Sequence, residues 1–366
     1  MSVFDIKKNS AICVLPWVHE YRNIDGKIAP CCVGKELRND ESLKMIREQM
    51  LKEIQPRACT KCYVQEEESG FSLRKLETVD WLKKFGNPDH TKEPTVQFVD
   101  VRFDPTCNLK CKTCGPEFST LWQKEKKVSF KTNKSNMDYL NNIDKTKLKK
   151  VYLAGGEPTY IKGYQIFLNQ LFVVNPSCEV VINTNLKKLP ESWKTIIKKF
   201  KNLTVMCSCD AIDTLGTYVR YPLGWTEFEN NVDWVSKNAN FLQFNLVASN
   251  LTTHRLSETC YWMKQYSKNI NLSILNNPNY FSEQAVPFEY RDIYVNDISK
   301  LLTFPISAHH AINFRSKIQY LIKKYSESTF NELLHEKLRA EITEQDRHRT
   351  LKLRDVDSFL HGWIHG

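Results

Sequence analysis

Residues 101–117 read VRFDPTCNLKCKTCGPE, the end of an expected strand followed at once by Cys107, Cys111 and Cys114. Three thiols this close together, on a chain with 12 cysteines in all, have the density of metal ligands. A closed zinc site is expected to show paired C-x2-C knuckles and four neighbouring ligands. Three cysteines suit a [4Fe–4S] cluster in which one iron lacks a protein ligand and keeps an open position. A zinc loop or chance clustering is the competing reading of the spacing.

Outward from this loop the sequence alternates apolar strands with amphipathic helical stretches. Strand candidates are 96–104, 149–154, 179–184, 203–210, 241–249 and 270–276, separated by stretches such as GYQIFLNQLFVVN, SWKTIIKKF and FENNVDWVSKNA. Such alternation implies parallel βαβ units. Six units are too few for a closed eight-stranded barrel, so the expectation is an α/β fold, a partial (β/α)6 TIM-like barrel over 96–285. Functional residues should gather at the carboxyl ends of its strands. Residues 286–366 read as a helical C-terminal region, 71–95 as a linker helix, and 1–70 as a small cysteine-rich domain built on a hairpin.

The second expected strand ends in KKVYLAGGEPTY, with Gly155, Gly156, Glu157 and Pro158 at its exit. Paired glycines let a ligand approach bare backbone, and proline fixes the turn. Alone this is an ordinary tight turn. One strand after Cys-x3-Cys-x2-Cys, it resembles the radical S-adenosylmethionine (radical SAM) superfamily over residues 96 to about 280. The resemblance implies that the three cysteines hold a [4Fe–4S] cluster whose open iron is chelated by SAM, and that Gly155–Pro158 hold the SAM amino group. INTN at 182–185 is similar to the family's third-strand Thr-Asn, which makes Asn185 a polar contact. SCD at 208–210 is similar to the fourth-strand Ser-x-Asp that meets the ribose, which assigns Ser208 and Asp210. TYVRYP places Arg220 where relatives set an arginine near the SAM carboxylate. Period-two alternation leaves Cys207 and Cys209 on the opposite face, as core residues. One departure is Thr113, where relatives carry an aromatic residue beside the adenine.

A second cysteine set lies upstream. CVLPWVHEYRNIDGKIAPCC puts Cys13 and Cys31 at the feet of an expected β-hairpin turning at Asp25-Gly26. ACTKC adds Cys59 and Cys62. Four thiolates form a closed site, for which zinc and [4Fe–4S] are both open by ligand count. The spacing, with Gly26 five residues before Cys31, resembles the SPASM/twitch extension of certain radical SAM enzymes, which implies one auxiliary [4Fe–4S] cluster. In most relatives that domain follows the barrel; here it precedes it. Cys32 is left as a spare thiol, and Cys178 and Cys260 read as buried ones.

The remaining composition narrows the class. At 366 residues with 41% hydrophobic content, the chain has ample material for a large core. No apolar run is long enough to span a membrane, and the N-terminus lacks secretory features, so a cytoplasmic protein is expected. A formal charge of +10 and lysine clusters at 124–150 and 187–201 suit either a solvated helix face or nucleic acid. The leading expectation is therefore a radical SAM enzyme acting on a peptide or small molecule, with an electron donor such as flavodoxin or ferredoxin. RNA modification and a non-catalytic iron–sulfur or zinc protein are the alternatives. Asp100, Arg102 and Asp104 on the first strand, and Gln243, Asn245 and Ser249 on the fifth, face one way each. They would contact substrate or water.

Overall fold

In the computed structural model, residues 3–7, 9–102, 104–130, 135–275 and 277–366 are described. Phe103 and Asn276, at the ends of two expected strands, and Lys131 and Lys134 of the first lysine cluster lie outside the described residues. Among the described residues there are eight strands: β1 His19–Arg22, β2 Ile28–Ala29, β3 Phe98–Arg102, β4 Lys150–Ala154, β5 Glu179–Thr184, β6 Leu203–Ser208, β7 Phe241–Ala248 and β8 Ile270–Ile274. Their order in the sheet is β2-β1-β3-β4-β5-β6-β7-β8. The pairs β1–β3, β3–β4, β4–β5 and β7–β8 are parallel, and β1–β2 is antiparallel. This is the expected α/β class with a mostly parallel sheet. All six expected strands form, and the N-terminal hairpin adds two more.

The chain divides into two compact units. One contains Met1–Thr106, Pro116–Asn183 and Pro190–Thr204; the other contains Cys107–Gly115, Thr184–Leu189 and Val205–Gly366.

In the first unit, strand register sorts side chains cleanly between two faces. Val99, Val101, Val151, Leu153, Val180 and Ile182 share one face and are fully buried. Each such side chain contributes about 1.5–3 kcal/mol relative to exposure. The other face carries His19, Tyr21, Phe98, Asp100, Arg102, Lys150 and Tyr152. That face is polar because its charges are paired: Arg102 lies 3.4 Å from Asp100, and Lys150 donates to Glu77 at 2.9 Å. The hairpin closes as expected, with Gly26 at φ 84° and Asn23 N–H donating to the Lys27 carbonyl at 3.2 Å. The helix Lys162–Val174 buries Tyr164, Phe167, Leu168 and Leu171 on one stripe. Its Tyr164 hydroxyl sits 2.6 Å from the carbonyls of both Val101 and Ala154, at the exits of β3 and β4.

In the second unit, β7 alternates buried Leu242, Phe244, Leu246 and Ala248 with half-buried Gln243 and Asn245. Asn271 on β8 donates to Asn245 at 3.1 Å, so this polar row is hydrogen-bonded across strands. The C-terminal region is helical as expected, including Arg291–Ser299, Ala308–Glu327, Glu332–Arg347 and Ser358–His365. Among the described residues no helix is long and apolar enough to cross a membrane.

Candidate functional site

The three-cysteine loop belongs to the second unit, and its thiols are half-buried. Asn185, directly after β5, donates to Asn108 at 2.8 Å and lies 3.8 Å from the Cys107 sulfur. Its own carbonyl accepts from Lys187 N–H at 2.9 Å, which fixes the amide's orientation. Arg220 donates to Asp210 at 2.7 Å, and Asp210 also accepts from Val247 N–H at 3.1 Å. Burial disfavours the Arg220 cation, yet Cys111, as thiolate, and the carboxylate of Asp210 outweigh it and favour the charged guanidinium. Conversely, burial pushes the Cys111 thiol up while Arg220 pulls it down. Asn185, Asp210 and Arg220 therefore stand with the loop in this unit. Ser208 is half-buried at the end of β6. Cys207 and Cys209 are buried core thiols, as their alternation implied.

Two polar atoms here have a bearing on what the loop could hold. Asn108 Nδ2 and Arg220 Nε are buried without a hydrogen-bond partner. Buried donors left unmatched are costly, and a bound group bearing acceptors would satisfy them. The sulfides of a cluster and the carboxylate of SAM are such acceptors, so the residues present fit both groups.

Gly155–Pro158 lie in the first unit, against the segment that leads into the loop. Gly156 N–H donates to Asp104 at 3.2 Å and Glu157 N–H to Thr106 at 2.7 Å. A Cβ on Gly156 would stand 2.2 Å from the Thr106 carbonyl oxygen, so only glycine fits. Gly155 has φ +127°, again a glycine conformation. The Glu157 side chain is buried and accepts from Thr159, through its amide at 3.1 Å and its hydroxyl at 2.7 Å. What this turn can offer a ligand is therefore backbone.

Cys13, Cys31, Cys59 and Cys62 line one cavity of the first unit, together with Leu15, Pro30 and Arg74. The expected four-thiol set is thus brought together, and Cys32 is not part of it. The segment carrying Cys13 is pinned from several sides: Val14 N–H donates to Thr78 at 3.1 Å, Arg74 donates to the Ile12 carbonyl at 2.6 Å, and Tyr63 to that of Ala11 at 2.8 Å. Arg74 also forms a two-pronged ion pair with Glu66. Burial pushes all four thiols up, Cys59 to about 12, while Arg74 opposes the rise at Cys13, Cys59 and Cys62. Metal binding there would release thiol protons. Among the described residues no group of three or more His, Cys, Asp or Glu side chains is arranged to hold a single metal ion. Cys32 is exposed. Cys178 and Cys260 are buried. Arg74 escaped the sequence reading because no spacing rule connects an arginine to these cysteines.

No family model matches the chain. Over 108 residues it is 27% identical to a GTP 3',8-cyclase of Helicobacter pylori, covering 27% of this chain and 31% of the relative. Among solved structures, it is similar to SuiB of Streptococcus suis, with 15% identity and a TM-score of 0.41 over 78% of this chain and 68% of that one. It is similar to anSMEcpe with bound AdoMet, with 18% identity and a TM-score of 0.39 over 54% of this chain and 57% of that one. A third is TsrM, a radical S-adenosylmethionine methyltransferase from Kitasatospora setae, with 9% identity and a TM-score of 0.35 over 55% of this chain and 39% of that one. The chain thus matches less than two thirds of the length of the curated relative and of anSMEcpe.

Proposed function

We propose that this chain is a radical SAM enzyme acting on a peptide or small-molecule substrate. The carrying observation is the loop Cys107–Cys114, with Asn185 against Cys107 and the partly unsatisfied Arg220 between Cys111 and Asp210. Cys107, Cys111 and Cys114 would hold a [4Fe–4S] cluster. When bound, the cluster and SAM would supply one-electron cleavage of the sulfonium to methionine and a 5′-deoxyadenosyl radical. In the second unit, Arg220 Nε would receive the SAM carboxylate, and Ser208 with Asp210 the ribose; the family resemblance assigns the SAM amino group to the backbone of Gly155–Pro158. Each Asp210 oxygen has one protein donor and keeps a lone pair for a hydroxyl. Asn185 holds the orientation of the loop at Cys107.

Cys13, Cys31, Cys59 and Cys62 would hold an auxiliary cluster in a twitch-like region spanning 1–70, followed by the helix-bearing linker 71–95, the catalytic region 96–285 and the helical region 286–366. Thiols that line the walls of a shared cavity suit a cluster, which is wider than one zinc ion. With four protein ligands it would have no open iron, and its role would be to accept the electron left when substrate is oxidised. The polar face bearing Tyr21, Asp100, Arg102 and Tyr152 supplies hydrogen-bonding surface for substrate. The expected flavodoxin- or ferredoxin-like donor belongs to a cytoplasmic setting. SuiB bound to its precursor peptide, and the GTP cyclase, fit the two substrate classes named.

The test is to reconstitute the protein anaerobically, reduce it, add SAM and measure 5′-deoxyadenosine and methionine. Their formation in equal amounts supports the reading. Bound iron without SAM cleavage would leave the non-catalytic iron–sulfur alternative, and steeply salt-dependent RNA binding would favour the RNA substrate.

A further inference from the structure

Lys112 lies between Cys111 and Cys114, yet its side chain is fully buried and points to the C-terminal region of the same unit. Its ammonium donates to Asp346 at 3.0 Å and Gln345 at 3.2 Å, and it sits 3.8 Å from the ring centroid of Tyr218. Asp346 is fully engaged: one oxygen also accepts from the Tyr218 hydroxyl at 3.0 Å, and the other from Leu353 N–H at 2.7 Å. Three residues on, buried Arg349 donates to the Lys110 carbonyl at 3.2 Å. The loop backbone is tied from a second side, with Lys110 N–H on Tyr221 at 2.7 Å and Lys112 N–H on Val219 at 2.8 Å.

A loop without secondary structure loses conformational freedom when its thiols are fixed, and prior fixation lowers that cost. A buried ammonium persists only where it is paired and hydrogen-bonded, so Lys112 makes Asp346 indispensable to this arrangement. We propose that residues 341–353 are a positioning strap for the three-cysteine loop, with the Lys112–Asp346 pair as its fixed point. The strap holds Cys111 and Cys114 in their spacing before any metal binds, which gives the C-terminal region a direct part in the chemistry of the loop. This rests on the radical SAM reading only in taking the loop as a ligand set.

The experiment compares the full-length protein with Asp346→Ala and with the double variant Lys112→Met/Asp346→Leu, which removes both members of the pair. In iron-free protein, alkylation of each cysteine is followed by peptide mass spectrometry. Labelling of Cys111 and Cys114 should quicken about tenfold in both variants, with Cys13 and Cys31 unchanged. After anaerobic loading, the variants should lose iron from the loop, and the reduced signal in electron paramagnetic resonance should change shape. If Asp346→Ala unfolds outright, exposing Cys178 and Cys260 as well, the double variant decides. Parental labelling rates and an unaltered signal in the double variant overturn the strap. A parental loop that takes up no iron overturns the functional reading instead, while the labelling contrast still decides the strap.

Discussion

Each thiol set has an arginine beside it, and the two arginines are used differently. Arg74, at the N-terminal cavity, spends its guanidinium on Glu66 and the Ile12 carbonyl, and three of the four thiols around it are buried. Arg220, near Cys111, makes one bond to Asp210 and keeps a buried Nε without a partner, beside half-buried thiols. A saturated arginine stabilises a wall; an unsaturated one can take a further acceptor. On the function proposed above, the contrast would separate a closed ligand set from one that leaves room for a second molecule.

The sharpest way to break this contrast is to remove the open set. Changing Cys107, Cys111 and Cys114 together to Ala should abolish 5′-deoxyadenosine formation and lower iron from about eight per chain to about four. Cleavage at the parental rate would end the distinction. Removing the closed set should act later: Cys59→Ala with Cys62→Ala should preserve 5′-deoxyadenosine formation and stop product formation. If chromatography still shows the same oxidised product, the N-terminal cluster is a structural support.

A smaller effect is expected where backbone rather than thiol is altered. Gly156→Ala forces a methyl into the Thr106 carbonyl, which should cost about 1–3 kcal/mol of stability and weaken SAM binding. Calorimetric melting and equilibrium dialysis of SAM would measure both, and parental values would refute the close approach. The smallest is a pH effect in the first unit. Burial lowers His19 to about 4 from its usual 6.5, the strongest influence, against the pull of Asp100. The unfolded chain then binds the proton first, so stability is full above pH 6.5, falls as pH drops, and levels below about 4. At pH 5.5 the loss attributable to His19 should be about 1 kcal/mol, read as a shallower denaturation profile in His19→Phe. The same pH slope in that variant would show that His19 is not the source.

The six strands were legible because strands buried in parallel sheets read as apolar runs, as VVIN on β5 and VYLA on β4 do. β1 was not legible as a sheet member. HEYR is four residues long and largely polar, and only pairing with Phe98–Arg102 makes it a strand beside β3. That Cys13, Cys31, Cys59 and Cys62 come to one cavity could be read from spacing, and the hairpin from Asp25-Gly26. Glu157 was legible as a position but not as a role, since its carboxylate turns to Thr159.

By itself the sequence determined what is local in cause: the alternation that makes an α/β sheet, the thiol spacing, and the glycines that a tight strand exit demands. Tertiary structure alone decided which distant groups meet them. Arg74 reaches the Ile12 carbonyl across 62 positions, and Lys112 reaches Asp346 across 234. No periodicity or spacing rule operates over such separations. A buried charge finds its partner only when the packed chain has already excluded water, and that requirement is written in the fold as a whole.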